Sequence, residues 1–174
     1  MNFPLVTLRN SLRESALDEF DYKVMGSAST VSGMKSIDRY FTCGASSRIY
    51  EGTWTQGSED VPCILKVFVK SNPSYTDFFM GDTWANETTG QDVLSREHDG
   101  IVKLLSAGNT DDFYYSVSEK IEGRELDDIA IENFLKPATF IDHMSQTANI
   151  LEAVHNFGYV YGDLEFSSSL KWEF

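Results

Sequence analysis

Cysteine, proline and basic residues are all scarce in this chain of 174 residues. The two cysteines, Cys43 and Cys63, have no second thiol or histidine at metal-binding spacing, so we expect reduced thiols and no zinc site. Lysine and arginine number 14 against 27 aspartates and glutamates, and the net charge of −13 argues against nucleic acid or an anionic membrane as a partner. No apolar run approaches the roughly 18 residues of a membrane-spanning helix, and no secretory signal pattern opens the chain. We therefore expect a cytoplasmic protein.

The composition is that of a folded protein, with 41% hydrophobic and 13% aromatic residues. The length allows one domain, or a small lobe followed by part of another. Apolar residues at helical spacing predict a helix within residues 8–22, and residues 26–33 are rich in serine and glycine, which is typical of a linker.

Short extended segments follow the predicted linker. Their β-forming residues predict five strands, with a helix over residues 84–96 between the third strand and the fourth. The later chain is predicted to be helical at residues 125–135 and 139–157, and the second of these helices opens with a Thr-x-x-Asp capping pattern at Thr139 and Asp142. The strands are predicted at residues 37–41, 48–54, 61–69, 101–105 and 114–117.

The most specific pattern lies at residues 151–164, where an apolar helical stripe runs into a turn. Gly158 is suited to end the helix, because glycine adopts the left-handed conformation without penalty. Asp163 then places one short carboxylate on a tight turn, an arrangement suited to a general base. The stripe that leads to this turn consists of Ile141, Met144, Ala148, Leu151 and Val154.

These residues resemble the catalytic loop of the eukaryotic-type protein kinase superfamily, Leu-x-x-x-His-x-x-Gly-(apolar)2-His-Arg-Asp-Leu-x-x-x-Asn. The resemblance extends over about residues 36–164. It implies an α+β, protein-kinase-like fold, with a five-stranded antiparallel small lobe that carries one helix, followed by the first helices of the large lobe. The implied organisation is an N-terminal extension at residues 1–34, a small lobe at 35–121 and the start of a large lobe at 122–174. The matching residues are Leu151, His155, Gly158, Asp163 and Leu164.

The loop also departs from the family pattern. Ser168 stands where the family has the asparagine that holds a second magnesium ion, and no segment after Asp163 matches Asp-Phe-Gly, which supplies the principal Mg²⁺ ligand. The Gly-Asp-Leu form is more similar to the loop of small-molecule phosphotransferases and of some microbial kinases. The resemblance therefore implies ATP as the cofactor, whereas we assign no metal ligand and expect no complete Mg²⁺ site in this chain.

Lys66 is a single cation within the apolar third strand. A lysine there is ordinarily a solvent-facing residue, but this one resembles the Val-Ala-Ile-Lys lysine that grips the α- and β-phosphates of ATP. The resemblance implies Glu87 on the following helix as the partner of the lysine, while Asp82 and Glu97 compete for that role.

Other nucleotide contacts are implied by the resemblance alone. Gly44 is the one glycine retained from the family's phosphate-covering loop, and Ile49 begins the Val-Tyr-x-Gly-like strand after it. The backbone groups of Glu119 and Ile121 would meet an adenine edge, and Glu125 would reach a ribose hydroxyl. Asp163 would accept or orient the substrate hydroxyl proton.

The function implied is ATP-dependent phosphotransfer, with a protein Ser/Thr kinase favoured and with weak or no activity expected of this chain alone. Three alternatives stay open: a pseudokinase or interaction module that binds a partner protein, a small-molecule phosphotransferase fragment, and a truncated gene product without a selected role. The apolar stripe of residues 139–157 needs a cover. We expect either the apolar face of residues 8–20 or a second copy of the chain to supply it.

Overall fold

The computed structural model of this chain describes residues 17–43, 47–70, 77–123 and 136–160, and for residues 77–79 it describes the backbone alone. The predicted helix at residues 125–135 and the predicted site residues Gly44, Glu125 and Asp163 lie outside these ranges, as do residues 8–16 of the predicted first helix.

The elements follow the predicted order, with one helix between the third strand and the fourth. Helix α1 and a single 3-10 turn at Ala28–Thr30 come first, strands β1 to β3 follow, then helix α2, strands β4 and β5, and helix α3. The bounds are α1 Glu19–Met25, β1 Met34–Cys43, β2 Arg48–Gln56, β3 Glu59–Val69, α2 Asp77–Glu97, β4 Leu104–Asn109, β5 Phe113–Glu119 and α3 Pro137–Asn156.

The five strands form one antiparallel sheet in the order β1-β2-β3-β5-β4, which confirms the predicted sheet. The fourth strand differs from the prediction, because it begins at Leu104 and not at residue 101. The residues just before Leu104 instead form hydrogen bonds near the end of α2. The amide nitrogen of Ile101 donates to the carbonyl oxygen of His98, and the Gln91 side chain donates to the carbonyl oxygen of Val102 at 3.0 Å.

The described chain divides into two compact units. The sheet unit holds the described residues up to Thr88 together with Leu104–Lys120, and the helical unit holds Thr89–Lys103 together with the described residues from Ile121 onward. The predicted boundaries after residues 34 and 121 stay a prediction. None of the helices within the described ranges has the length and apolar character needed to cross a membrane.

The buried side chains that alternate along β3 show which face of the sheet forms the core of the sheet unit. Cys63, Leu65 and Val67 are fully buried in that core, so the residues between them lie on the opposite face. Helix α1 and the 3-10 turn cover the core face, with Val24 and Val31 packed into the same cluster. The linker prediction for residues 26–33 is wrong, because Val31 is only 1% exposed.

A buried carboxylate joins α1 to the sheet. Asp21, which is 2% exposed, accepts a hydrogen bond from the Tyr50 hydroxyl at 2.6 Å and lies 2.8 Å from the Arg48 guanidinium. The same guanidinium donates to both carboxylate oxygens of Asp18 at 2.7 and 2.8 Å, and Asp18 and Asp21 also form the capping box that opens α1. The Arg48 hydrogen bonds hold the pKa of Asp18 well below its usual range, while burial raises the pKa of Tyr50.

Helix α3 of the helical unit begins two residues before the predicted start. Pro137 occupies the first turn, where its fixed φ suits a helix, and Lys136 at the cap makes no side-chain hydrogen bond. The predicted capping pattern at Thr139 and Asp142 is wrong, because both residues already lie inside the helix. The predicted end is confirmed, since Gly158 follows the helix at a φ of +80°.

The predicted apolar stripe is only partly the buried face of α3. Ile141 is 63% exposed and Ala148 is also exposed, Met144 and Leu151 are half-buried, and Val154 is buried as predicted. Val154 packs with Ile150 against Leu94. The buried face also takes in His143 and Thr147, and the Thr147 hydroxyl is satisfied within the helix by the His143 carbonyl oxygen at 2.9 Å.

The expected cover for α3 is also corrected in part. Phe20, at the end of the segment proposed as a cover, packs edge-on against Phe113 of the sheet, with ring centroids 6.2 Å apart. Helix α1 therefore covers the sheet, because its own apolar residues, Phe20 and Val24, join the sheet core. A second copy of the chain stays a prediction.

Candidate functional site

Lys66 lies on the central strand of the sheet, on the face opposite the core. Its neighbours Leu65 and Val67 point into the core, so the lysine side chain leaves the sheet on the other side. Directly across the ladder it faces Ile49 of β2 on one side and Ser116 of β5 on the other. The predicted neighbours Ile49 and Lys66 are therefore brought together by the β2–β3 register.

The Lys66 amine is held by a carboxylate and an aromatic ring. Its Nζ lies 2.5 Å from Oε1 of Glu87 on α2, and the two side chains are 31% and 39% exposed. The same nitrogen lies 5.0 Å from the centre of the buried Phe68 ring, two residues along β3. Glu87, and not a competing carboxylate, is thus the partner found for Lys66. Whether either residue binds a nucleotide stays a prediction.

This ion pair is too exposed to be what fastens α2 to the sheet. Pairs at such exposure contribute roughly 0–1 kcal/mol, because water screens the charges and the long side chains lose rotamer freedom. The helix needs another attachment if Glu87 is to stay within reach of Lys66.

Trp84 provides that attachment one helical turn before Glu87. Its indole N–H donates to the backbone carbonyl oxygen of Tyr115 on β5 at 2.8 Å. Its ring stacks on Tyr114, with centroids 5.3 Å apart and planes 25° apart. Sequence reasoning did not single out Trp84, although its spacing of three residues from Glu87 places both on one face of a helix.

The end of β5 carries the residues predicted to meet an adenine edge. Glu119 is the last residue of β5 and pairs with Cys63, three positions along the ladder from the pair of Lys66 with Ser116. The backbone N–H of Lys120 donates to the carbonyl oxygen of Pro62 at 3.3 Å, which extends the pairing with β3 by one residue. Ile121 follows outside the strand.

A charged cluster that was not predicted from the sequence lies on the same face as Lys66. Glu51, directly opposite Ile64, accepts from the Arg39 guanidinium at 2.9 Å and from Lys120 Nζ at 3.2 Å. Its side chain is largely buried between the two cations, so it links β1, β2 and the residue after β5.

Acidic and histidine side chains do not gather into a metal site within the described ranges. No group of three or more potential ligands occurs among those residues. Asp163, the predicted catalytic carboxylate, lies outside them together with the phosphate-loop residue Gly44 and the predicted ribose contact Glu125.

The antiparallel sheet with one helix carrying the partner of a central-strand lysine has the arrangement of the small lobe of a protein kinase. Among solved structures, the crystal structure of Rad53 1–466 in complex with AMP-PNP is similar to this chain, with a TM-score of 0.61. The match covers 79% of this chain at 19% sequence identity, and this chain covers 34% of that chain. At this identity the likeness concerns the fold alone, which is α+β and protein-kinase-like. No protein-family model matches the chain, and no curated protein matches it in sequence.

Proposed function

We propose that this chain is a kinase-like domain that binds ATP on the face of the sheet that carries Lys66. The observation that carries the proposal is the ion pair of Lys66 with Glu87 on the central strand and the helix of a kinase-like fold. A lysine amine has three donor hydrogens. In this proposal Glu87 takes one of them and orients the others toward the α- and β-phosphates.

The backbone after β5 supports the adenine contacts in the same proposal. The Lys120 N–H points to β3, where it meets Pro62. Because successive N–H groups of an extended chain point to opposite sides, we expect the Ile121 N–H to point away from β3. An adenine edge would be met there and at the neighbouring backbone of Glu119. The nucleotide complex of Rad53 makes ATP the first ligand to test.

Phosphotransfer is the finer part of the proposal. Asp163 would orient a hydroxyl of a protein serine or threonine, or of a small alcohol, and Mg²⁺ would neutralise charge on the phosphates when bound. We assign no Mg²⁺ ligand in this chain, so we expect weak or no transfer from it alone. A cytoplasmic location belongs to the same proposal.

A second candidate function is binding of a partner protein, as in a pseudokinase. It is favoured by exposed apolar side chains on and after α3, where apolar contact with water is unfavourable. A partner protein or a second copy of the chain would cover them. The exposed residues are Ile141, Phe157 and Val160.

Thermal unfolding with ATP, with and without Mg²⁺, tests the nucleotide proposal. We expect ATP to raise the melting temperature of the wild type and of Lys35→Ala, since Lys35 forms an exposed pair with Asp60 and is a matched control. Lys66→Ala should lose the shift, because the phosphate-binding amine is gone. A shift that requires Mg²⁺ supports an enzyme, and one that does not supports a nucleotide-binding pseudokinase. No shift in the wild type at millimolar ATP would refute nucleotide binding.

A further inference from the structure

We propose that Trp84 is a positioning residue that fastens α2 to β5 and so sets the ion pair of Lys66 with Glu87 before any nucleotide binds. The role of this ion pair in nucleotide binding rests on the proposed function. The effect of Trp84 on the ion pair concerns only the sheet unit, and it can be tested without ATP.

The attachment and the ion pair are adjacent on both elements that they join. On α2, Trp84 precedes Glu87 by three residues, and side chains at this spacing lie next to each other on one helix face. On β5, Tyr115 accepts the indole N–H, and the next residue, Ser116, lies directly across the ladder from Lys66. A displacement of the helix at Trp84 therefore carries Glu87 with it.

The indole holds the helix by two different contacts. The hydrogen bond to the Tyr115 carbonyl oxygen at 2.8 Å restrains the position of the helix along the strand, because a hydrogen bond weakens steeply when its length or angle changes. The stack on Tyr114 fixes the tilt of the ring. The Thr88 hydroxyl donates to the Trp84 carbonyl oxygen at 2.8 Å, which ties the next turn of the helix to the same residue.

Helix α2 packs closely against Tyr114, which limits how far the helix can move relative to β5. A Cβ atom built on Gly81, one turn before Trp84, would lie 3.1 Å from the Tyr114 hydroxyl oxygen. Lys70 Nζ lies 4.7 Å from the centre of the same ring. Tyr114 thus contacts both the helix and a cation, and its ring gives the indole a surface to stack on.

Acetylation of lysine amines in the nucleotide-free protein tests the proposal. Limiting acetic anhydride acetylates each amine and releases acetate, and mass spectrometry of peptides gives a rate for every lysine. The Glu87→Gln variant serves as the reference, because it gives the acetylation rate of Lys66 without its carboxylate partner. We expect Trp84→Phe, which keeps a ring but removes the N–H, to raise the Lys66 rate several-fold toward that of Glu87→Gln. The Lys35 rate should stay at its wild-type value.

Trp54→Phe is the matched control, since Trp54 packs against the core on the other face of the sheet. We expect it to leave the Lys66 rate unchanged. A general loss of structure would raise the rates of all lysines, including Lys120, whereas a positioning role raises the Lys66 rate selectively. An unchanged Lys66 rate in folded Trp84→Phe would overturn the proposal.

Tyr114→Leu provides a second variant if Trp84→Phe does not fold. It removes the stacking surface and leaves the indole N–H and its acceptor in place, and we expect the same selective rise at Lys66. An unchanged Lys66 rate in this variant would likewise overturn the proposal. Absence of ATP binding by the wild type refutes the proposed function and leaves the acetylation result intact, so the two failures are distinguishable.

Discussion

Replacement of Asp21 by alanine should lower the free energy of unfolding by about 2–4 kcal/mol. The carboxylate is buried and accepts the hydroxyl of Tyr50, itself fully buried, so its removal leaves that hydroxyl without the acceptor found here. Loss of an acceptor for a buried donor costs roughly 1–3 kcal/mol. Loss of the reciprocal capping contact with the Asp18 N–H adds roughly 0.5–2 kcal/mol.

Asp21→Asn isolates the contribution of the Tyr50 hydrogen bond. The amide oxygen keeps an acceptor for Tyr50, while the pairing with Arg48 loses its charge and the amide nitrogen replaces the oxygen that accepts the Asp18 N–H, so we expect a loss of about 1–2 kcal/mol. Tyr50→Phe should cost much less in the Asp21→Ala background than in the wild type, because the two side chains share one hydrogen bond.

Urea unfolding followed by tryptophan fluorescence measures the wild type and all four variants, since the chain has three tryptophans. A loss below about 0.5 kcal/mol for Asp21→Ala would contradict the reasoning. It would mean that α1 contributes little to the stability of the sheet unit.

Three further predictions concern pH, thiol reactivity and a helix end. Arg48 lowers the pKa of Asp18 in the folded protein, so the ionised Asp18 stabilises the fold above the pKa of an unfolded aspartate, which is near 4, and this stabilisation is lost as the pH falls below that value. The melting temperature should therefore fall more steeply from about pH 5 to 2 in the wild type than in Asp18→Asn. Burial raises the pKa of Cys63 to about 11, so a thiol reagent at pH 8 should label exposed Cys43 only, and rapid labelling of both would contradict the burial. Gly158→Ala should lower stability by about 1 kcal/mol in urea because of its positive φ, and an unchanged midpoint would contradict that geometry.

The sheet was predictable because its signals are local. Each strand is marked by alternating or β-branched residues and bounded by turn residues, so five strands and the helix between the third and fourth follow from neighbouring positions alone. The pairing of Lys66 with Glu87 was implied only by the resemblance to the kinase family, which left Asp82 and Glu97 as alternatives, and the structure shows Glu87 as the partner.

The role of α1 was not predictable in the same way. The serine- and glycine-rich residues 26–33 have the composition of a linker, and only contact with the sheet core makes Val31 a core residue. The residues next to Asp21 in the sequence predict an ordinary surface aspartate. Its burial depends on Tyr50 and Arg48, which are distant in sequence and meet it only in the folded protein.

The buried face of α3 was mispredicted in part because apolar residues alone were counted. Thr147 is buried at little cost, since its hydroxyl donates to the carbonyl of His143 within the same helix. Ile141 is exposed instead, because the packing partners of α3 in the helical unit lie against Ile150 and Val154, nearer the end of the helix.

Labelling with an acyl-phosphate derivative of ATP tests the central claim most directly. The reagent transfers its acyl group to an amine beside the phosphates and releases ATP, and mass spectrometry identifies the acylated lysine. Our account predicts that Lys66 is labelled selectively, that excess ATP blocks the labelling, and that Lys35 reacts only at the background rate. Labelling spread over the surface lysines, or labelling of Lys66 that excess ATP does not reduce, would contradict the assignment of this face of the sheet to a nucleotide.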